Sequence, residues 1–148
     1  MTPDIPWLED IPPAECLTLL REAGFGRLAF TPDEYPMILP VNFRLVEDAH
    51  RTWIAIRTRA DGLIDRAPLP VAFEIDGANP YSKQGWSVVA RGNLQHVDSD
   101  AAGFAERFDP APWVEDRDSW LIIEPFTITG RRLHAADVEW VFHARAYL

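Results

Sequence analysis

A chain of 148 residues, 47% apolar and 11% aromatic, has the length of one ordinary domain and enough nonpolar side chain to fill one core, which excludes global disorder. Its 14 Lys and Arg stand against 23 Asp and Glu, a formal charge of −9. No basic block offsets this, so nucleic acid is not an expected partner, and a small anionic ligand would need a local cationic pocket set against the global field.

Residues 1–10 have neither the basic nor the apolar run of a leader, and no stretch approaches the ~18 apolar residues that span a bilayer. The expected address is therefore the cytoplasm, with no membrane partner. Pro12-Pro13 followed by Ala14 to Ala23 predicts a helix, with proline in its first turn and Cys16, Leu17, Leu20 and Ala23 on one face. Gly24 is expected to close it in a left-handed conformation. Cys16 is the single cysteine, which excludes an intrachain disulfide, and its apolar helical position predicts plain packing.

The period then changes to that of strands. Gly26 to Thr31 predicts a first strand, and Met37 to Val46 a second that contains Pro40. Proline cannot donate to a ladder, so an edge, a bulge or a ligand is expected beside it. Glu47 to His50 makes a hairpin, Thr52 to Arg57 returns, and Asp61 to Arg66 predicts a short helical turn ended by Pro68 and Pro70. Val71 to Asp76 is a fourth strand and Gly77 to Gly85 a loop. Trp86 to Val97 is a long fifth strand, which Gly92 is expected to bend or bulge. Ser99 to Phe108 suits a helix, Ser119 to Leu133 one long strand or a pair, and residues 134–148 an apolar tail. Six strands with short connections and two or three short helices predict a mainly β, closed antiparallel barrel, a single domain over residues 1–148.

No chemistry announces itself by motif. The four histidines fall in no metal-binding pattern, no G-x-S-x-G elbow exposes a serine, and the glycine-rich phosphate loops of nucleotide folds are missing. No metal is expected and no catalytic residue is assigned. Two constellations stand out. Arg57-Thr58-Arg59 ends the third strand with two guanidiniums, a hydroxyl and backbone donors, which suits a phosphate; the plain alternative is two exposed arginines paired with Asp61 or Asp65. Gly85-Trp86-Ser87 opens the fifth strand with a close approach, a planar wall and a hydroxyl; the plain alternative is an aromatic filling the barrel rim.

Taken in order, CLTLLREAGFGRLAF, YPMILPVNF, IRTRADG, VAFEID and GWSVVARGNL resemble the pyridoxamine 5'-phosphate oxidase-like flavin-binding family, from about Ala14 to Leu133, and are similar to bacterial members with a GWSV-type fifth strand. The resemblance implies a six-stranded Greek-key split barrel, a homodimer with two flavin sites between subunits, and a flavin-dependent oxidoreductase using FMN on a small-molecule substrate. A deazaflavin-coenzyme reductase and a non-catalytic flavin carrier or redox sensor are the alternatives. Carried over by position, Leu39, Pro40, Val41 and Asn42 would border the isoalloxazine ring. Ile56, Arg57 and Thr58 would run beneath it towards the phosphate, with Arg59 close by. Gly62 and Leu63 would cap the phosphate end, and Trp86 and Ser87 would complete the wall, with Trp113 or Trp120 supplied by the partner. Many relatives place a phosphate-binding lysine roughly where this chain has Asp61-Gly62-Leu63, which leaves that task to Arg57, Arg59 or Arg66. The ending GRRLHAADVEWVFHARAYL departs from the C-terminal segment of true pyridoxamine phosphate oxidases, so vitamin B6 oxidation is not implied.

Overall fold

The computed structural model describes residues 7–97, 107–113 and 118–134. Its elements are β1 (Leu8–Ile11), α1 (Pro13–Glu22), β2 (Phe25–Phe30), β3 (Met37–Glu47), β4 (Thr52–Thr58), β5 (Leu69–Asn79), β6 (Gln84–His96) and β7 (Ser119–Leu133). The strands form one antiparallel sheet in the order β1-β7-β4-β3-β2-β5-β6, and β6 pairs back onto β7. Six strands therefore close a barrel and β1 lies outside it. The β2-β3-β4 meander is followed by β5 on the far side of β2, which is the Greek-key connection.

Alternation places the core. Leu28 and Phe30 of β2, Ile54 and Ile56 of β4, Phe73 and Ile75 of β5, Val88 and Ala90 of β6, and Leu121 and Ile123 of β7 are all buried, as period-two strands with one inner face require. Phe43 and Phe73 meet edge to face at its centre, with centroids 4.7 Å apart. Helix α1 seals one end of the barrel with Cys16 and Leu20, both fully buried. Cys16 Sγ donates to the Ile11 carbonyl at 3.6 Å, so the thiol is a packing group, and burial pushes its pKa up.

Several expectations need correction. The helix ends on an extended Ala23 (φ −81°, ψ 150°) and not on a left-handed Gly24. Asp61 adopts φ 61°, which no right-handed helix admits, so residues 59–66 form successive tight turns and not a helical turn. The stretch read as a loop from Gly77 to Gly85 is mostly ladder: Gly77, Ala78 and Asn79 pair with Trp86, Gly85 and Gln84. Strand β1 was not anticipated at all; it pairs with the far end of β7, Leu8 opposite Leu133. The register does shift at Arg91/Gly92, where a Cβ on Gly92 would lie 2.2 Å from the Glu124 carbonyl oxygen. The helix expected over Ser99 to Phe108 and the tail beyond His134 lie outside the described residues, apart from Arg107 and Phe108. No helix among the described residues is long and apolar enough to cross a membrane.

Candidate functional site

The barrel is split where two neighbouring strands part. β3 and β4 pair from Glu47↔Thr52 to Phe43↔Ile56 and no further. Beyond that point β3 follows β2, with Asn42 opposite Phe25 and Met37 opposite Phe30. β4 follows β7, with Arg57 opposite Trp120 and Thr58 opposite Ser119. Among the described residues the stretch Met37–Asn42 thus has a ladder partner on one side alone, and alternate backbone amides and carbonyls point into the gap that β4 has left. Pro40 sits in this stretch, an open edge that tolerates a residue without an N–H.

The gap is a cavity of about 430 Å³ lined by Leu39, Pro40, Val41 and Asn42 on one side and by Arg57, Thr58, Arg59, Gly62, Leu63 and Ile64 on the other, with Pro112 closing it. Nine of the twelve residues singled out from the sequence meet here. Ile56 does not line the cavity; it is wholly buried in the core. Trp86 lies elsewhere, in a second cavity of about 430 Å³ with Gly77, Asn79, Gln84, Arg132 and His134. Ser87, opposite Asp76 and Arg131 on that same strand, is also apart from the cleft of its own chain.

Each wall is held by identifiable contacts. Asn42 Nδ2 donates to the Gly24 carbonyl at 3.4 Å and its Oδ1 accepts the Trp113 amide at 3.0 Å. Trp113 stacks on Phe25 with centroids 5.2 Å apart and planes within 5°. Trp113 and Trp120 of the same chain touch wall residues of the cleft, Asn42 and Arg57, without lining the cavity themselves. Arg57 Nη1 donates to both Asp109 oxygens at 3.2 Å, and its guanidinium lies 4.9 Å from the Trp120 ring centroid. The turn beneath is tight: Gly62 N–H donates to the Arg59 carbonyl at 3.0 Å, and a Cβ on Gly62 would lie 2.9 Å from that oxygen.

Asp65 locks this turn to the barrel. Its carboxylate accepts Ser119 Oγ, His96 Nε2 at 2.8 Å and the Asp61 amide at 2.8 Å. Ser119 first, then His96, hold the Asp65 carboxyl below the usual carboxylate range, against the opposing effect of burial. The pairing of the arginines with Asp61 or Asp65 is thus not what forms. Asp65 serves His96 and Ser119, and Arg57 takes Asp109. Asp109 and Pro112 were not singled out from the sequence, and Asp65 was named only as an alternative partner of the arginines; Asp109 lies 52 residues from Arg57 and carries no local signal.

These features define a class: a closed antiparallel barrel whose split between two strands makes a ligand-sized cleft with an open backbone edge and flanking arginines. Within that class the chain belongs to the pyridoxamine 5'-phosphate oxidase family, whose model matches residues 12–132. An uncharacterized protein of Mycobacterium tuberculosis is 33% identical over 131 residues, 82% of each chain. A conserved protein of unknown function from Corynebacterium diphtheriae superposes with a TM-score of 0.70 at 28% identity, covering 86% of this chain and 98% of that one. The FAD-binding protein of Mycobacterium smegmatis superposes with a TM-score of 0.64, also at 28% identity, over 86% and 99%.

Proposed function

We propose that the cleft between β3 and β4 binds a flavin nucleotide, FMN before FAD, and that the protein is a flavin-dependent oxidoreductase acting on a small molecule, with a second copy of the chain completing the site. The observation that carries the reading is the edge Leu39–Asn42, unpaired on this side among the described residues, facing Arg57, Thr58 and Arg59 across one cavity. A volume of about 430 Å³ falls in the range of small-molecule sites. The FAD-binding relative at 28% identity supports the ligand class and makes FAD the second reading.

The residues fit such a group in chemical terms. The backbone of the open β3 edge offers donors and acceptors to the polar rim of a ring system, while Leu39, Val41 and Leu63 exclude water from its faces. Asn42 is held in place by Gly24 and Trp113. Arg59 and Arg57 supply positive charge for a phosphate at the turn end. A bound flavin supplies hydride and electron transfer, and the chain supplies orientation and a dry wall.

Titrating the purified protein with FMN, FAD and the deazaflavin coenzyme, reading tryptophan emission and visible absorbance, tests this. FMN is expected to quench emission and to bind most tightly. Preference for FAD would select the second reading, and emission unchanged by all three would end the proposal. Turnover with a nicotinamide donor and an acceptor dye then separates an oxidoreductase from a carrier.

A further inference from the structure

Arg57 borders the cleft, yet its guanidinium is already engaged by a carboxylate of the same chain. A single nitrogen, Nη1, is shared between Asp109 Oδ1 and Oδ2 at 3.2 Å each. This is a weaker arrangement than the two-nitrogen fork that guanidinium and phosphate form when free to choose. Asp109 rides on residues 107–113, a strap fastened across the cleft by other contacts. Arg44 Nη1 donates to the Arg107 carbonyl at 3.2 Å, Trp113 donates its amide to Asn42, and its ring stacks on Phe25. Pro112 of the same strap forms part of the cavity wall. The second guanidinium of the cleft, Arg59, is exposed and makes no ion pair among the described residues.

We propose that Asp109 is a built-in competitor for the anionic end of the ligand: an entering phosphate takes Arg57 from Asp109 and loosens the strap over the cleft. A carboxylate and a phosphate bearing nearly two negative charges repel one another if both stay on one guanidinium. Occupancy by a charged ligand and closure of the strap through Asp109 are therefore alternatives. Asp109 makes the cleft discriminate by charge, lowering its affinity for a phosphorylated ligand relative to the uncharged parent. The identity of the ligand rests on the flavin reading; the competition between an anion and Asp109 does not.

The experiment compares wild type, Asp109→Asn and Asp109→Glu in titrations with FMN and riboflavin, each variant first checked for a native circular dichroism spectrum. Removing the like charge is expected to tighten FMN by about tenfold and to change riboflavin less than about twofold. Asp109→Glu keeps the charge and should stay within about threefold of wild type for FMN. FMN binding unchanged or weakened in Asp109→Asn, or riboflavin tightened equally, overturns the proposal. A second arm uses inorganic pyrophosphate as the probe and reads Trp113 emission as the difference between wild type and Trp113→Phe. A saturable change that Arg57→Ala abolishes supports release of the strap, and no change overturns it. If neither flavin binds any variant, the flavin reading has failed, and the pyrophosphate arm alone decides the competition.

Discussion

Asp65 shows how one half-buried acceptor can organise a turn that no strand holds. Three donors converge on it from three places in the chain: Ser119 at the start of β7, His96 at the end of β6, and the Asp61 amide within the turn. Because these bonds favour the ionised carboxyl, its folded pKa lies below the unfolded one. The stability it contributes is complete above that unfolded value and is lost as pH falls through the folded one. Asp65→Asn is therefore expected to cost about 1–2 kcal/mol at neutral pH, and urea midpoints of variant and wild type should converge as pH falls through the folded pKa of Asp65. A constant gap down to acid pH would show that the carboxylate charge is not what ties the turn. Arg57 makes a different kind of contribution. Arg57→Ala removes a charge-assisted donor from the cleft and leaves Asp109 without it, so FMN affinity should fall about 10- to 150-fold while riboflavin loses little. Equal losses for both ligands would reassign Arg57 to supporting the ring or the fold.

The strands explain why these residues meet. The β6–β7 ladder runs from Gly85↔Leu133 to His96↔Leu121, interrupted once at Arg91/Gly92. At that shift the β7 backbone comes so close that Gly92→Ala must push the Glu124 carbonyl away. A cost of about 2–4 kcal/mol in urea unfolding is expected, with the barrel otherwise intact; a loss under about 0.5 kcal/mol would mean the ladder gives freely there. Elements whose pattern is local could be read from the chain: α1 from its prolines and apolar face, β4 from TWIAIR, the irregularity in β6 from Gly92, and the open edge from Pro40. Elements that exist because of a distant partner could not. LEDI in β1 has no apolar alternation, and it is a strand because the end of β7 lies beside it. Gly77-Ala78-Asn79 has turn composition and is drawn into the ladder by the length of β6. The cleft divided in the same way. Leu39 to Asn42 and Arg57 to Arg59 are contiguous runs on two strands and could be named together. The link between Arg57 and Asp109, and the separation of Trp86 from the cleft, are set by topology alone.

The outer surface of the barrel carries its own argument about assembly. Residues opposite each other in a ladder share a face, so Phe25, Arg27 and Ala29 of β2 lie beside Asn42, Pro40 and Ile38 of β3. This outward face would ordinarily be polar. Instead Ile38 is 65% exposed, Trp113, stacked on Phe25, is 77% exposed, and Pro40 lies between Ile38 and Asn42. Arg27, the charged residue among them, is drawn aside to Glu74 and Asp76 at 3.0 Å each. An apolar stripe bordering an open cleft is the arrangement expected where a second copy docks and helps enclose a planar ligand. Light scattering is therefore expected to give twice the chain mass of 16.8 kDa. Ile38→Asp places a charge in the middle of the stripe without touching the core, so it should shift the protein towards monomer while leaving its circular dichroism unchanged. If the second copy encloses the ligand, FMN affinity of that variant should also fall at least about tenfold and recover in part as protein concentration rises. A variant that becomes monomeric yet binds FMN as wild type does would place the whole site within one chain. A variant that stays dimeric would move the interface off the β2–β3 face.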